Sequence, residues 1–108
     1  MPPGLLRTIL KRYISYTVLE FDSDKSRQNA AKIGMDFVEA QAMWDGWCIY
    51  VASNHNALEP RELVIGRIND RIWTAIITRR GDNIRIISVR RARQNEEQIY
   101  ERSNDKKD

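Results

Sequence analysis

The 108-residue chain has one cysteine, one histidine and no long apolar run, and each scarcity excludes a class of protein. The single cysteine, Cys48, cannot form an internal disulfide, and its place between Trp47 and Ile49 indicates a buried structural thiol rather than a nucleophile. This cysteine usage predicts a reducing, cytoplasmic location. No stretch is long and apolar enough to span a bilayer, so we expect no membrane association.

Motifs that hold metals, nucleotides or acyl groups are also missing. The sequence has no Cys/His cluster with metal-ligand spacing, no glycine-rich phosphate loop and no serine-nucleophile elbow. We therefore expect neither a metal nor an organic cofactor. The only histidine, His55, stands among serine and asparagine residues, which is typical of a solvent-exposed loop.

Positive charge is in excess, and it is unevenly distributed. The chain has a formal charge of +3, yet residues 61–95 contain nine arginines, no lysine and only three acidic residues. Arginine binds phosphate through two parallel hydrogen bonds and stays charged at any physiological pH. This block therefore favours a phosphate-bearing partner, although the same charges also suit a solvated face of a sheet.

Local signals place two helices before residue 45 and most of the strands after it. Asp22 suits the N-cap of a helix over residues 23–33, and Gly34 suits its end. Asp36 and Glu39 have the spacing of a capping box for a second helix. Strands are predicted over residues 16–21, 47–52, 62–68, 72–78 and 84–90, and a closing helix over residues 94–102.

This order of elements predicts one α+β domain over residues 16–102. We expect an antiparallel sheet of four or five strands with the helices packed on one side. Residues 1–15 are predicted to be an N-terminal extension, either a short helix or a flexible arm, because their apolar residues follow helical spacing. Residues 103–108 are predicted to be a disordered polar tail.

The most distinctive segment is 84–93, in which arginines flank an apolar strand. Regular alternation of side chains puts Arg85 and Arg90 on opposite faces of that strand. A bulge near Ser88, or a site that wraps around the end of the strand, is needed to bring them together. Spacing alone is also compatible with arginines that only solvate the strand ends.

One pattern of residues extends over residues 21–100. It begins at the aromatic–Asp pair Phe21 and Asp22 and is most specific in the run from Arg85 to Ala92. Its other positions are Lys25, Asn29, Lys32, Gly34, Phe37, Ala40, Glu59, Arg61, Gly66, Glu97 and Tyr100. With this pattern the chain resembles the BrnT family of toxins, whose fold is similar to that of RelE. The sequence departs from the family pattern at Ile33, where the family has histidine, and at Val89, where it has alanine.

The resemblance implies the toxin of a type II toxin–antitoxin system, a metal-independent endoribonuclease that cleaves RNA and inhibits translation. It also implies a BrnA-like antitoxin in a complex of two toxins and two antitoxins, with DNA bound only through the antitoxin. Fixed guanidinium groups suit the extra negative charge of a phosphate under attack, and a lysine suits proton transfer. By position, the implied catalytic residues are Lys25, Arg61, Arg85 and Arg90, and the implied RNA-binding residues are Ser88, Arg91, Glu97 and Tyr100.

Several alternatives stay open. Ile33 removes the histidine that would titrate near neutral pH, so a catalytically degenerate relative that only binds antitoxin or RNA is the second hypothesis. An RNA-binding protein unrelated to toxins is disfavoured, because the tryptophans fit core positions rather than exposed stacking platforms. Residue by residue, Lys25 also suits an exposed helix surface, and Tyr100 suits a core anchor. For an active toxin, alanine at Arg85 or Arg90 is expected to abolish activity and leave the fold intact.

Overall fold

The computed structural model describes residues 9–14, 17–53 and 60–105, so His55 and Glu59 lie outside the described residues. None of the helices within these ranges is long and apolar enough to cross a membrane. In chain order the elements are strands β1 (Ile9–Ile14) and β2 (Thr17–Asp22), helices α1 (Ser23–Ile33) and α2 (Phe37–Ala40), a 3₁₀ turn (Gln41–Asp45), strands β3 (Cys48–Ala52), β4 (Arg61–Ile68), β5 (Arg71–Arg80) and β6 (Asn83–Arg91), and helix α3 (Gln94–Asp105).

The predicted helix caps are confirmed. The side chain of Asp22 accepts the backbone N–H of Asp24 at 2.8 Å, which satisfies a donor that has no partner inside α1. Gly34 ends α1 with a φ of 84°, a left-handed conformation that favours glycine. Asp36 and Glu39 form the capping box of α2, with each side chain accepting the other residue's backbone N–H. These caps fix both ends of α1, the helix that lines the candidate site.

Within the described ranges, six strands form one mixed sheet in the order β1-β2-β6-β5-β4-β3. Strands β2 and β6 are parallel, and the other neighbouring pairs are antiparallel. The α+β class is therefore confirmed, whereas the prediction of an antiparallel sheet of four or five strands is wrong in strand number and in one pairing. A parallel pair needs a long crossover connection, and everything between β2 and β6 supplies it.

Both ends of the chain differ from the prediction. Ile9–Ile14 forms β1, antiparallel to β2, where a helix or an arm was predicted. Pairing with the edge of β2 satisfies backbone groups of both strands, a gain that helical spacing of apolar residues does not reveal. Helix α3 continues to Asp105, past the predicted end at residue 102. The remaining residues of the predicted extension and tail, 1–8, 15 and 106–108, lie outside the described residues.

Two hydrophobic cores cover opposite faces of the sheet. Val64 and Trp73 belong to the first core, together with Phe37 of α2. Their chain neighbours Ile65 and Ile72 belong to the second core, together with Tyr100 of α3. Because successive residues of a strand face opposite sides, α3 lies across the sheet from α2. The prediction that all helices pack on one side is therefore wrong.

Gly66 lies in β4 where the first core leaves no room for a side chain. A Cβ atom at this position would stand 2.3 Å from Cγ of Met43, which is fully buried, and 3.2 Å from Cβ of Cys48. We expect Gly66→Ala to lower the free energy of unfolding in urea by about 1–3 kcal/mol, because Met43 must leave its packed position. Gly46→Ala is the matched control, since its Cβ would meet no described atom within 4 Å. An equal loss of stability in both variants would contradict this account.

Candidate active site

Strand β6 contains a bulge next to Ser88, which is one of the two arrangements predicted to bring Arg85 and Arg90 together. Ile86 lies opposite Ile77 of β5, and Ser88 lies opposite Ile76. Ile87 is therefore an additional residue with no partner on β5. One additional residue reverses the alternation of side chains that follow it on the strand.

The bulge brings Arg90 to the face of the sheet on which Arg85 and Arg61 lie. Arg85 lies opposite Thr78, and Arg90 lies opposite Thr74. These threonines are four residues apart on a regular strand, so they face the same side, which is the side of α3. Arg61 also lies opposite Thr78, from β4, and is thus roughly 10 Å from Arg85 by strand spacing.

Beyond its pairing with β2, strand β6 has an open edge to which no other described strand pairs, and α1 lies beside it. The β2–β6 register ends at Phe21 and Ile86. The buried amide of Asn29 in α1 accepts the backbone N–H of Val89 at 3.2 Å and donates to the carbonyl of Met35 at 2.8 Å. These two hydrogen bonds fix α1 against the open edge of β6.

A cleft of about 430 Å³ separates α1 from this edge. Among the described residues that line it, the cations are Lys25 and Lys32 of α1 and Arg90 of β6, and none is acidic. Both lysines are exposed, and within the described part of the chain neither has an ion-pair partner. An anion such as a phosphate group suits this lining. The lining residues are Lys25, Gln28, Asn29, Lys32, Ile33, Ile87, Ser88, Val89 and Arg90.

Arg90 forms an ion pair with Glu96 of α3 through two hydrogen bonds. Its Nη1 and Nη2 atoms donate to Oε1 and Oε2 of the buried carboxylate at 2.7 and 2.9 Å. Oε1 also accepts the hydroxyl of Thr74 at 3.0 Å and the backbone N–H of Arg93 at 2.8 Å. The hydrogen bonds from Arg90 lower the pKa of Glu96 from its ordinary 4.5 to about 2, and hydrogen bonding to Glu96 raises the pKa of Arg90. Arg90 is thus a fixed, permanently charged donor at the cleft.

The lowered pKa of Glu96 makes the stability of the fold depend on pH. A carboxylate whose pKa falls on folding stabilises the native state above its unfolded pKa, and this contribution disappears as the pH falls through the folded value. Between pH 4.5 and about 2, we expect the protein to lose roughly 3 kcal/mol of unfolding free energy through this group. Urea titrations across that range, compared with an Arg90→Met/Glu96→Leu variant, isolate the contribution. Identical slopes for the two proteins would show that the pair does not stabilise the fold.

Three other predicted site arginines lie outside the cleft. Arg85 donates from Nη1 to Glu20 of β2 at 3.4 Å. Arg61 has a buried Nε with no hydrogen-bond partner in the described ranges. Arg91 faces the other side of the sheet, where its guanidinium lies 5.4 Å from the ring centre of Trp73. The structure therefore brings Lys25, Ser88 and Arg90 together at the cleft, whereas Arg61 and Arg85 lie outside it on the α3 side of the sheet, the side they share with Arg90.

The two predicted RNA-binding residues of α3 also lie away from the cleft. Tyr100 is buried in the second core, and its hydroxyl donates to the carbonyl of Trp47 at 3.2 Å, as expected of a core anchor. Glu97 lies half-buried beside Glu101, on another side of α3 from Glu96. Trp47, which the sequence placed in the core, is 40% exposed. The structure thus gives Tyr100 a packing role, and the glutamate that pairs with Arg90 is Glu96 rather than Glu97.

Sequence reasoning missed Lys32 and Glu96 as site residues. Residues Gln28, Asn29 and Lys32 follow Lys25 at the spacing of one helix face, and such a face normally packs against a neighbour. A polar stripe at this spacing was the available signal for Lys32. No comparable signal separates Glu96 from Glu97, because both lie about one helical turn before Tyr100.

One of the comparisons with known proteins found a match. A family model described as the ribonuclease toxin BrnT of a type II toxin–antitoxin system matches residues 21–96, which is more than two thirds of the chain. The matched range includes all the residues that line the cleft and ends at Glu96. No curated protein and no solved structure matches the chain, so the similarity to the RelE fold stays a prediction.

Proposed function

Since this chain belongs to the BrnT family of ribonuclease toxins of type II toxin–antitoxin systems, we propose that it cleaves RNA at the cleft between α1 and β6 and thereby inhibits translation. One observation carries the proposal. Two lysines and one fixed arginine line the cleft, the lysines have no ion-pair partner in the described part of the chain, and no described acidic residue lines it. RNA brings one negative charge per phosphate to such a surface. The phosphodiester is therefore the group that the lining fits best.

The proposed reaction is an internal transesterification of RNA. The 2′-oxygen forms a bond to the adjacent phosphorus, and the bond from phosphorus to the 5′-oxygen breaks, which leaves a 2′,3′-cyclic phosphate and a 5′-hydroxyl. The 2′-hydroxyl proton passes to water. The ammonium group of Lys25 gives a proton to the leaving 5′-oxygen and regains one from water. Arg90 and Lys32 offset the negative charge that builds on the phosphate oxygens.

The remaining predicted residues have supporting roles in this proposal. Ser88 lines the cleft and offers a hydroxyl to a phosphate oxygen. Arg85 and Arg61 share the α3 side of the sheet with Arg90 and bind phosphates next to the scissile one. The family also implies an antitoxin partner. We propose a BrnA-like antitoxin in a two-plus-two complex, with DNA bound through the antitoxin alone.

Purified protein and a labelled single-stranded RNA test the proposal. We expect cleavage that survives EDTA and yields cyclic-phosphate ends, whereas a fully 2′-O-methylated copy of the same RNA stays intact because it lacks the nucleophile. Affinity for the uncleavable copy should fall with salt at a log–log slope of about −2, as three neutralised phosphates require. Unbroken RNA, or equal cleavage of both oligonucleotides, would overturn the proposal.

Ile33 is the observation that favours a second candidate function, a degenerate toxin that binds RNA or antitoxin without cutting. This residue lines the cleft and is 42% exposed, so a histidine there would reach the bound phosphate. If the parent binds RNA but leaves it intact, Ile33→His decides between the candidates. Cleavage gained by that variant would identify the parent as a binding module whose proton-transfer group is missing.

A further inference from the structure

The hydrogen bonds of Arg90 use only part of its guanidinium. Nη1 donates to Glu96 and to the carbonyl of Arg91 at 3.2 Å, and Nη2 donates one hydrogen to Glu96. Among the described residues, the Nε–H and the second hydrogen of Nη2 have no acceptor. These two N–H groups lie on the same edge of a planar group and point in parallel directions. One free two-donor fork is therefore left, on a residue that lines the cleft.

We propose that Glu96 is a positioning residue that presents the free Nε/Nη2 fork of Arg90 to two oxygens of one RNA phosphate. The inference rests on the proposed function and adds to it the residue that orients Arg90. A guanidinium grips a carboxylate and a phosphate with the same fork geometry, so a carboxylate on one edge leaves the other edge for the substrate. In this proposal Glu96 itself, a buried residue in the first turn of α3, does not contact the RNA.

The surroundings of Glu96 make it a rigid support. Its carboxylate receives four hydrogen bonds in all, from two nitrogens of Arg90, the hydroxyl of Thr74 and the backbone of Arg93. Thr74 is fully buried in the middle of the sheet, and the Arg93 N–H belongs to the entry of α3. Strand β5 and helix α3 therefore both hold the carboxylate in place. A lysine at position 90 has no planar guanidinium, so Glu96 could not orient it in the same way.

Kinetics of Glu96→Gln, Arg90→Lys and the double variant test the inference on cleavable RNA. An amide cannot accept from both nitrogens of Arg90, so we expect Glu96→Gln to lower kcat about 10- to 100-fold and to change KM less than about threefold. In the Arg90→Lys background the same change should cost less than about threefold in kcat, because the fork is already absent. A further 10- to 100-fold loss of kcat on adding Glu96→Gln to Arg90→Lys would overturn the inference. Glu62→Gln is the matched control, because it removes a carboxylate from another arginine pair, that of Arg79, and should leave kcat unchanged.

Nuclear magnetic resonance of the Arg90 Nε–H group supplies a readout that does not need activity. On addition of the uncleavable 2′-O-methyl RNA, we expect this signal to shift in the parent and to lose most of that response in Glu96→Gln. A parent that cuts no RNA would remove the proposed function, yet this titration would still decide the inference. RNA that binds without moving the Arg90 signal, or RNA that does not bind at all, would overturn the positioning role of Glu96.

Discussion

Lys25→Ala is expected to lower the rate of RNA cleavage about 10²–10³-fold and to leave the fold intact. The ammonium group of Lys25 is the proton donor that the proposed reaction assigns to the leaving 5′-oxygen, and loss of one such transition-state group typically costs this much. The side chain is exposed and has no ion-pair partner in the described ranges, so its removal leaves no buried group unsatisfied. Initial rates on labelled RNA, at equal concentrations of folded protein, measure the effect.

Arg27→Ala is the matched control for Lys25→Ala. Arg27 lies two residues further along α1, carries the same charge, forms an exposed ion pair with Asp24 and does not line the cleft. The variant therefore has the same change of net charge without a change in the cleft, and its rate should stay within about threefold of the parent, since exposed pairs contribute little. Lys25→Arg keeps a cation but is a poor proton donor, so we expect it to recover RNA affinity and not the rate. Equal losses of cleavage rate for Lys25→Ala and Arg27→Ala would show that Lys25 contributes only its positive charge and is not the proton donor.

The elements whose ends are set by residues close together in the sequence were predictable. Asp22 and Gly34 bound α1 because capping chemistry acts within a few residues, and the structure has the same helix. The placement of helices on both faces was not predicted, although runs such as Leu63–Val64–Ile65 carry the signal. Consecutive apolar residues in a strand indicate that both of its faces are covered. The parallel pairing of β2 with β6 joins segments more than 60 residues apart, and no local pattern specifies it.

The candidate site was predictable in its residue types and less so in its membership. The sequence, through its resemblance to the BrnT family, implied Lys25, Ser88 and Arg90 as site residues, and these three line the cleft. Side-chain alternation also showed that a bulge was one way to bring Arg85 and Arg90 to the same face, but the sequence alone could not show which way the chain uses. It could not place the bulge in the register, because a bulge is fixed by pairing across strands rather than by the residue that forms it. Glu96 was missed for a related reason. A buried carboxylate is unfavourable until its partner is known, and that partner lies on a different element.

Arg90→Ala is expected to lower the free energy of unfolding by about 3–5 kcal/mol as well as to abolish cleavage, an expectation that replaces the intact fold predicted from the sequence for this variant. The reason is Glu96, whose side chain is only 5% exposed and would lose its charge partner inside the protein. Removing one member of a buried ion pair leaves an uncompensated charge, which costs more than the pair contributes. Arg85→Ala should be milder, because Arg85 makes a single 3.4 Å contact with Glu20. Urea unfolding of both variants measures the difference.

The double variant Arg90→Met/Glu96→Leu separates stability from chemistry at this pair. It removes both charges and keeps apolar volume, and such replacements of buried pairs are often neutral for stability. We therefore expect it to regain most of the stability that Arg90→Ala loses and to remain unable to cut RNA, because the arginine fork is gone. A double variant as unstable as Arg90→Ala would show that the cost comes from the lost packing of the arginine stem rather than from the unpaired carboxylate. A stable double variant that still cuts RNA would show that cleavage does not depend on Arg90.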